Sequence, residues 1–514
     1  MPTTDRIPII DRKLALPRMK SRRPVVFLMT VVITSSLAVV ALLQLQQSNN
    51  VSEPPAPERI AYFVHAPIFI NGNAGFLADN MSTGVSWGSG TASDPYIIED
   101  WDIDAFTADG IRTQDTDVHF IIRNCRMLDG GSNYNGIYLS NCVNGKLESN
   151  FCLNCLYDLR LDNSNSNILS NNTCTSNRDG IHLTSSSDNE LSNNTCNSNL
   201  DYGIYLYLSS NRNTLSNNTC DSNSAGMYVY VSSNDNTLNN NTCNSNGVGI
   251  YIGSSSGNML MNNICLANSG GVYLYSASNN NTLINNNCLG NSGSSSSLGI
   301  YLFSSNDNLL SNNTCTLNYN FGITFYASNS NTLFNNSCSN GGTGMRFDQS
   351  NNNTFNNNTC GSNSGRGIYL YQSRNNEIAG NWIGNNAQYG VYIEIGRYNH
   401  IWNNTFVGNN GAGNAYDSAH IQAYDDRPYN DWNASGYGNY WSDWTTPDND
   451  MNGIVDNPYN ISGSMGAQDF YPRTIPTVTP IPEFSSSIVL LCVMVAMMAV
   501  VAVLRRPSSR RKSQ

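Results

Sequence analysis

A motif of the form N-x-L-S-N-N-T-C-x-S-N-x-x-G-I-Y-L recurs about every 23 residues from roughly residue 120 to residue 410, and a period of that length makes the chain a solenoid. The cysteines mark the period. Cys152, Cys174, Cys196, Cys220, Cys243, Cys265, Cys288, Cys315, Cys338 and Cys360 lie 22 to 27 residues apart, and Ile383 and Phe406 continue the row. Leucine-rich repeats and β-helices both have such periods, so the interior of each unit decides between them. Between Cys196 and Gly203 stand only Asn197, Ser198, Asn199, Leu200, Asp201 and Tyr202, too few for a helix and rich in turn-forming residues. Three short extended pieces remain per unit, for example Glu190-Leu191-Ser192, Asn194-Thr195-Cys196 and Gly203-Ile204-Tyr205-Leu206-Tyr207, each alternating inward and outward side chains. Stacking hydrogen-bonds each strand to its copy in the next unit. The result is an all-β, three-sheet parallel β-helix of about 12–13 coils, roughly 60 Å long.

In the third strand Ile204 and Leu206 face the core, so Tyr205 faces solvent. Its counterparts Tyr138, Arg160, His182, Tyr228, Tyr251, Tyr273, Tyr301, Thr324, Arg346, Tyr369 and Tyr392 form a file along one face. The glycine that opens each of these strands (Gly136, Gly180, Gly203 and their copies) is expected to permit a positive φ at a corner. Asn pairs such as Asn193-Asn194 suit the turn before the second strand, with side-chain amides stacked along the axis. A content of 12% charged residues fits one long repetitive domain better than several globular ones.

Two apolar runs set the expected compartment. Residues 24–44 follow a basic tail, 1–23, and are long enough to cross a bilayer as an anchor, with a cleaved signal peptide as the alternative. Residues 485–504 precede a second basic tail, 505–514. Both basic flanks should stay in the cytoplasm, which puts residues 45–484 outside the cell. Residues 45–58 and 474–484 read as Pro-containing linkers, 59–118 as an entry cap, 119–406 as the repeats and 407–473 as the far cap. Outside the two tails remain 14 of the 26 basic residues but 35 of the 37 acidic ones. Such a surface argues against nucleic acid and favours cations.

The cysteine column admits three readings: core filling by a small weak hydrophobe, disulfides between coils, or a copper-binding row. Cys125, Cys142 and Cys155 lie off the column. The tyrosine file also has two readings, a sugar-stacking surface or a cross-strand ladder in which each ring shields its neighbour. Arg160, His182 and Tyr205 make its most chemically diverse patch, although a surface imidazole with no role would also account for His182. Hydrolases and lyases need clustered carboxylates on one exposed face. Only Asp158, Arg160, Asp179 and His182 are dense enough, while Asp425-Asp426 reads as loop-solvating, so no catalytic residue is assigned. Asp448, Asp450, Asn452 and Asp456 flank a Gly453 turn with the alternation of a Ca²⁺ loop, without a twelfth-position acid, which a distant carboxylate such as Asp469 would supply. Asn171, Asn193, Asn217, Asn240, Asn312, Asn335, Asn357 and Asn403 head N-glycosylation patterns, and sparse occupancy is expected because the turn needs the same amides.

The segment Gly88-Ser89-Gly90-Thr91-Ala92-Ser93-Asp94-Pro95-Tyr96-Ile97-Ile98-Glu99, the Asn-rich coils and Gly438-Asn439-Tyr440-Trp441-Ser442-Asp443-Trp444 together resemble archaeal surface proteins with NosD-like right-handed β-helix repeats, over about residues 60–473. That resemblance implies the right-handed fold and a relationship to carbohydrate-binding, sugar-hydrolysing and copper-delivery proteins. The tail Ile481-Pro482-Glu483-Phe484, with the apolar run and basic end, is similar to PEF-CTERM sorting signals, which implies cleavage near Pro482 and attachment to lipid. The expectation is a membrane-tethered extracellular rod that binds polysaccharide through Tyr138, Arg160, His182, Tyr205, Tyr228, Tyr251, Tyr273, Tyr301, Tyr369 and Tyr392. A structural or adhesive surface component is the rival, and a carbohydrate-active hydrolase, lyase or epimerase the third reading.

Overall fold

The computed structural model describes residues 62–77, 84–292, 297–463 and 465–480. The apolar runs at 24–44 and 485–504, with the sorting-signal tail, lie outside these residues. Among the described residues no helix is long and apolar enough to cross a membrane.

Each winding has one long and two short extended pieces because the Asn, Ser and Gly between them turn the chain at single left-handed residues. In one coil these are Asn193 (φ 56°), Ser198 (φ 58°), Leu208 and Ser209 (φ 49° and 61°) and Arg212 (φ 53°). Asn bears that conformation at lower cost than branched residues. Three parallel sheets follow. The tyrosine sheet of long strands, such as Tyr202–Tyr207, and the leucine sheet of short ones, such as Glu190–Ser192, have fifteen strands each, all parallel except Val85–Trp87, which opens the leucine sheet antiparallel to Tyr96–Glu99. The cysteine sheet runs continuously only in parts and elsewhere holds register through single bridges such as Thr195↔Thr219. Winding begins before residue 119, since Ile68–Asn71 already pairs in parallel with Ile111–Thr116. It continues to Ala423–Asp425, which pairs with Val391–Glu394.

The core is four stacked columns: those of Ile204 and of Leu206, the leucines around Leu215, and the cysteines, all buried. All thirteen described cysteines are free and buried. Burial in this dry interior holds thiols such as Cys152, Cys174, Cys220 and Cys315 in the protonated form. The core-filling reading is the one this geometry supports.

The strand-opening glycines are a correction. None of Gly136, Gly180, Gly203, Gly226 or Gly249 has a positive φ. Their requirement is steric: a Cβ at Gly203 would lie 2.5 Å from Gly226 O and 2.8 Å from the Cys220 Cβ, so neighbouring coils close up only without one. Asp158 takes this position in its own coil and points inward, fully buried, with its carboxyl accepting from Asn177 Nδ2 and its Oδ1 unbonded. It is therefore not part of an exposed patch.

Four polar ladders, where one was expected, run the length of the rod at the corners. Each inward amide or hydroxyl directly follows a left-handed residue: Asn194 after Asn193, Asn199 after Ser198, Ser210 after Ser209, Asn213 after Arg212. Asn194 is typical, its backbone N–H and Nδ2 both donating to Asn218 Oδ1 at 3.0 Å and its Nδ2 also to Leu169 O at 2.9 Å. The off-column thiols head three of these ladders. The backbone N–H of Cys125 donates to Asn150 Oδ1, that of Cys142 to Ser164 Oγ and that of Cys155 to Asn177 Oδ1, at 3.1, 3.0 and 2.7 Å. The glycosylation-pattern asparagines are the left-handed partners, such as Asn193 and Asn217, and not the ladder residues, so the expected competition for one amide does not arise.

The amides of each ladder align, N–H toward the far end, which concentrates positive potential there as at a helix N-terminus. All three Asn ladders end on a buried carboxylate. Asn439 donates to Asp469 (N–H 2.7 Å), Asn430 Nδ2 to Asp425 Oδ1 (2.9 Å), and Gln422, which closes the third, to Asp443 Oδ1 (2.5 Å). Asp425 thus terminates a ladder where a loop-solvating role was expected. Stacked Phe406, Trp441 and Tyr459 (4.2 and 4.0 Å) close the core at this end, and Phe76 on Tyr96 (4.8 Å) closes the other.

Candidate functional site

The period-2 alternation of the long strands sends two residues of each outward, and the parallel register lines them up coil by coil. The file predicted from Tyr205 is continuous from Tyr138 through Arg160, His182, Tyr205, Tyr228, Tyr251, Tyr273 and Tyr301. It passes Thr324 and Arg346 to Tyr369, Tyr392 and Tyr424. A second file, unanticipated, runs beside it through Tyr207, Tyr230, Tyr275, Phe303, Tyr326 and Tyr371, broken by Gly253 and Asp348. Its signal was present as the repeated Y-x-Y and Y-x-F of these strands.

The aromatic rings largely face each other. Tyr228 stacks on Tyr251 (4.5 Å, 8°), Tyr275 on Phe303 (4.4 Å, 11°) and Tyr392 on Tyr424 (4.4 Å, 9°). Burial raises the tyrosine pKa values, to about 12 for Tyr228 and Tyr301, so their hydroxyls remain donors at neutral pH.

Charged clusters flank the aromatic middle. On the near side Arg160 lies over the rings of Tyr138 and Tyr157 (4.8 and 5.4 Å) and is forked onto Asp162 (3.1 and 2.7 Å), which also accepts from Tyr138 Oη (2.8 Å). His182 is no free surface imidazole. It is 8% exposed, with Nδ1 2.9 Å from Asp179 Oδ2, Nε2 3.1 Å from Thr184 Oγ1, and its ring against Tyr157 and Tyr205. On the far side Arg346 is forked onto Asp348 (3.0 and 2.7 Å), Tyr369 Oη donates to Glu394 (2.6 Å), and Arg366 lies against the rings of Tyr369 and Tyr392 (4.5 and 4.1 Å). Asp162, Asp179, Asp348 and Glu394 are thus all engaged by neighbours.

In the far cap Asp448, Asp450 and Asp456 bring carboxylate oxygens within 4.8 Å of one another. The fourth predicted ligand, Asn452, turns its Oδ1 to the Ile454 N–H (2.7 Å) and its Nδ2 to Asp450 (2.8 Å). Asp469 does not complete this group, because its oxygens accept from Asn439, Trp441 and Tyr471.

Residues 91–269, 241–364 and 289–446 match the family described as periplasmic copper-binding protein (NosD). The chain belongs to the NosD family. No curated protein matches it. Among solved structures it is similar to a double mutant of the periplasmic alginate epimerase AlgG (14% identity, TM-score 0.38, 60% of this chain and 82% of that one). It is also similar to the A-module of the Azotobacter vinelandii mannuronan C-5 epimerase AlgE4 (13%, 0.34, 65% and 88%) and to the DFA-IIIase of Arthrobacter chlorophenolicus (10%, 0.34, 54% and 80%). These are likenesses of fold alone.

The NosD description names copper, and the described residues do not fit a copper site. Copper needs several soft or imidazole donors converging on one point. Here ten of the thirteen thiols are strung along one buried column and Cys125, Cys142 and Cys155 head separate ladders, and Asp448, Asp450 and Asp456 are the only His, Cys, Asp or Glu trio among the described residues whose ligand atoms converge. That trio is all oxygen, a donor set for hard cations.

Proposed function

We propose that this NosD-family protein binds polysaccharide along the tyrosine face, as a membrane-tethered rod displayed outside the cell. The observation that carries the reading is the double file of half-buried aromatics, with Arg160 and Arg346 within it and Arg366 beside it, on an otherwise Asn- and Ser-rich surface. Ring edges give apolar contact to sugar C–H groups, while protonated tyrosine hydroxyls and guanidinium groups bond sugar hydroxyls. Glycan-array binding of the full chain, compared with the triple variant Tyr205→Ala, Tyr228→Ala, Tyr251→Ala, tests it. Loss of signal in a variant that still melts cooperatively supports binding.

The mutual stacking of the rings favours a second reading, a structural or adhesive surface element in which the file stabilises the sheet. A variant that melts lower, from a parent that binds no glycan, would establish that reading instead. In the far cap Asp448, Asp450 and Asp456 are proposed to hold Ca²⁺. A calcium-dependent rise in melting temperature should vanish in Asp450→Ala, and its persistence there would exclude the site.

A further inference from the structure

Thirteen arginine and lysine residues fall among the described residues. Nine have a carboxylate within 4.0 Å: Arg112, Arg123, Arg126, Lys146, Arg160, Arg178, Arg212, Arg346 and Arg427. In a chain with 37 acidic residues against 26 basic ones this is the expected outcome. Arg366, Arg374, Arg397 and Arg473 have no such partner, and the first three lie in adjacent coils.

Their placement follows the strand order. Arg366 enters the strand Ile368–Tyr371 at one margin of the tyrosine face, and Arg374 leaves it at the other. Arg374 is bridged in parallel register to Arg397 in the next coil, which sets the two about 4.8 Å apart at their backbones. Like charges in that register repel unless an anion lies between or above them. Arg374 also lines a surface groove of about 440 Å³ with Gln349, Asn351, Gln372 and Ile395, mostly amide groups suited to sugar hydroxyls.

Arg366 is better defined still. The Tyr369 and Tyr392 rings lie 4.5 and 4.1 Å from its guanidinium carbon, and its buried Nε bonds no acceptor. The N–H groups of a guanidinium lie in its plane, where a planar carboxylate or a sulfate fits two of them at once. The acidic side chains of the same coils are otherwise occupied: Glu394 accepts from Tyr369, Asp348 holds Arg346, and Glu377 accepts from Trp402 Nε1.

We propose that the far part of the tyrosine face, with Arg366 at one margin and Arg374 and Arg397 at the other, is a subsite for anionic glycan, reading carboxylate or sulfate groups on a sugar chain. The proposal rests on the glycan-binding reading above and narrows it to a substrate class.

The test measures binding of polygalacturonate, dextran sulfate and neutral dextran to the full chain, to Arg366→Gln, and to Arg374→Gln with Arg397→Gln. At least one anionic polymer should bind, and raising salt from about 0.05 to about 0.5 M should weaken it roughly ten-fold or more. Each variant should lose roughly ten-fold against the same polymer, with dextran binding and far-ultraviolet circular dichroism unchanged. The two anionic arms distinguish carboxylate from sulfate. Anionic binding that is indifferent to salt, or equal in both variants and wild type, overturns the proposal. Binding of dextran without either anionic polymer also overturns it while leaving the glycan-binding reading intact.

Discussion

Asn263→Ala should cost this protein far more than its size suggests. The side chain sits mid-ladder and is fully buried. Its Oδ1 accepts from both the backbone N–H and the Nδ2 of Asn241 at 3.0 Å, and its Nδ2 donates to Leu238 O at 2.9 Å and to Asn286 Oδ1 at 3.0 Å. Four hydrogen bonds at about 1 kcal/mol net each amount to about 4 kcal/mol, and stranding the buried Asn241 N–H adds roughly 1–3 kcal/mol more. The control is Asn239→Ala, one strand away on the outer surface, where the side chain accepts a single bond from Asn262 Nδ2. It should cost less than about 1 kcal/mol. Urea unfolding of both variants gives the global values, and hydrogen exchange at the Asn241 amide reports the local opening. If Asn263→Ala loses no more than Asn239→Ala, the ladders do not hold the coils together and the account of the fold given above is wrong.

Burial pushes Asp469 from 3.8 up to about 6, so the folded state holds this proton more tightly than the unfolded chain. Its contribution is present below pH 3.8 and is lost as pH rises through about 6, a swing of about 3 kcal/mol. Urea midpoints across that window should therefore show wild type gaining on Asp469→Asn as pH falls, and a constant difference would refute the assignment. Gly249→Ala would set a Cβ 2.7 Å from Gly271 O and 2.9 Å from Cys265 Sγ, costing roughly 3 kcal/mol. Gly413→Ala, with nothing within 4 Å, should leave the melting temperature unchanged, and similar melting of the two variants would sink the packing argument.

Much of the candidate site could be read from the sequence because it obeys the same alternation as the fold. Once Ile204 and Leu206 were placed inside, Tyr205 had to be outside, and the period carried that assignment to Tyr138 and Tyr392. The polar margins could not be read this way. Asp179 and His182 are three residues apart in one strand and could be paired on paper, whereas Arg366 meets Tyr392 only because the next coil folds over it. Asp158 looked like a surface acid beside Arg160, yet it occupies the glycine column and turns inward.

What the sequence by itself determined is the periodic part of the molecule: a parallel β-helix, its core columns, its outward file and the presence of Asn at the turns. Each depends on residues a fixed number of positions apart, and a repeat states that spacing openly. The tertiary structure alone decided which of two adjacent asparagines faces inward, why the strand glycines are needed, where the amide ladders start and stop, and which arginines lack a carboxylate. Those outcomes depend on how closely one coil approaches the next and on the irregular caps, where no period exists to extrapolate.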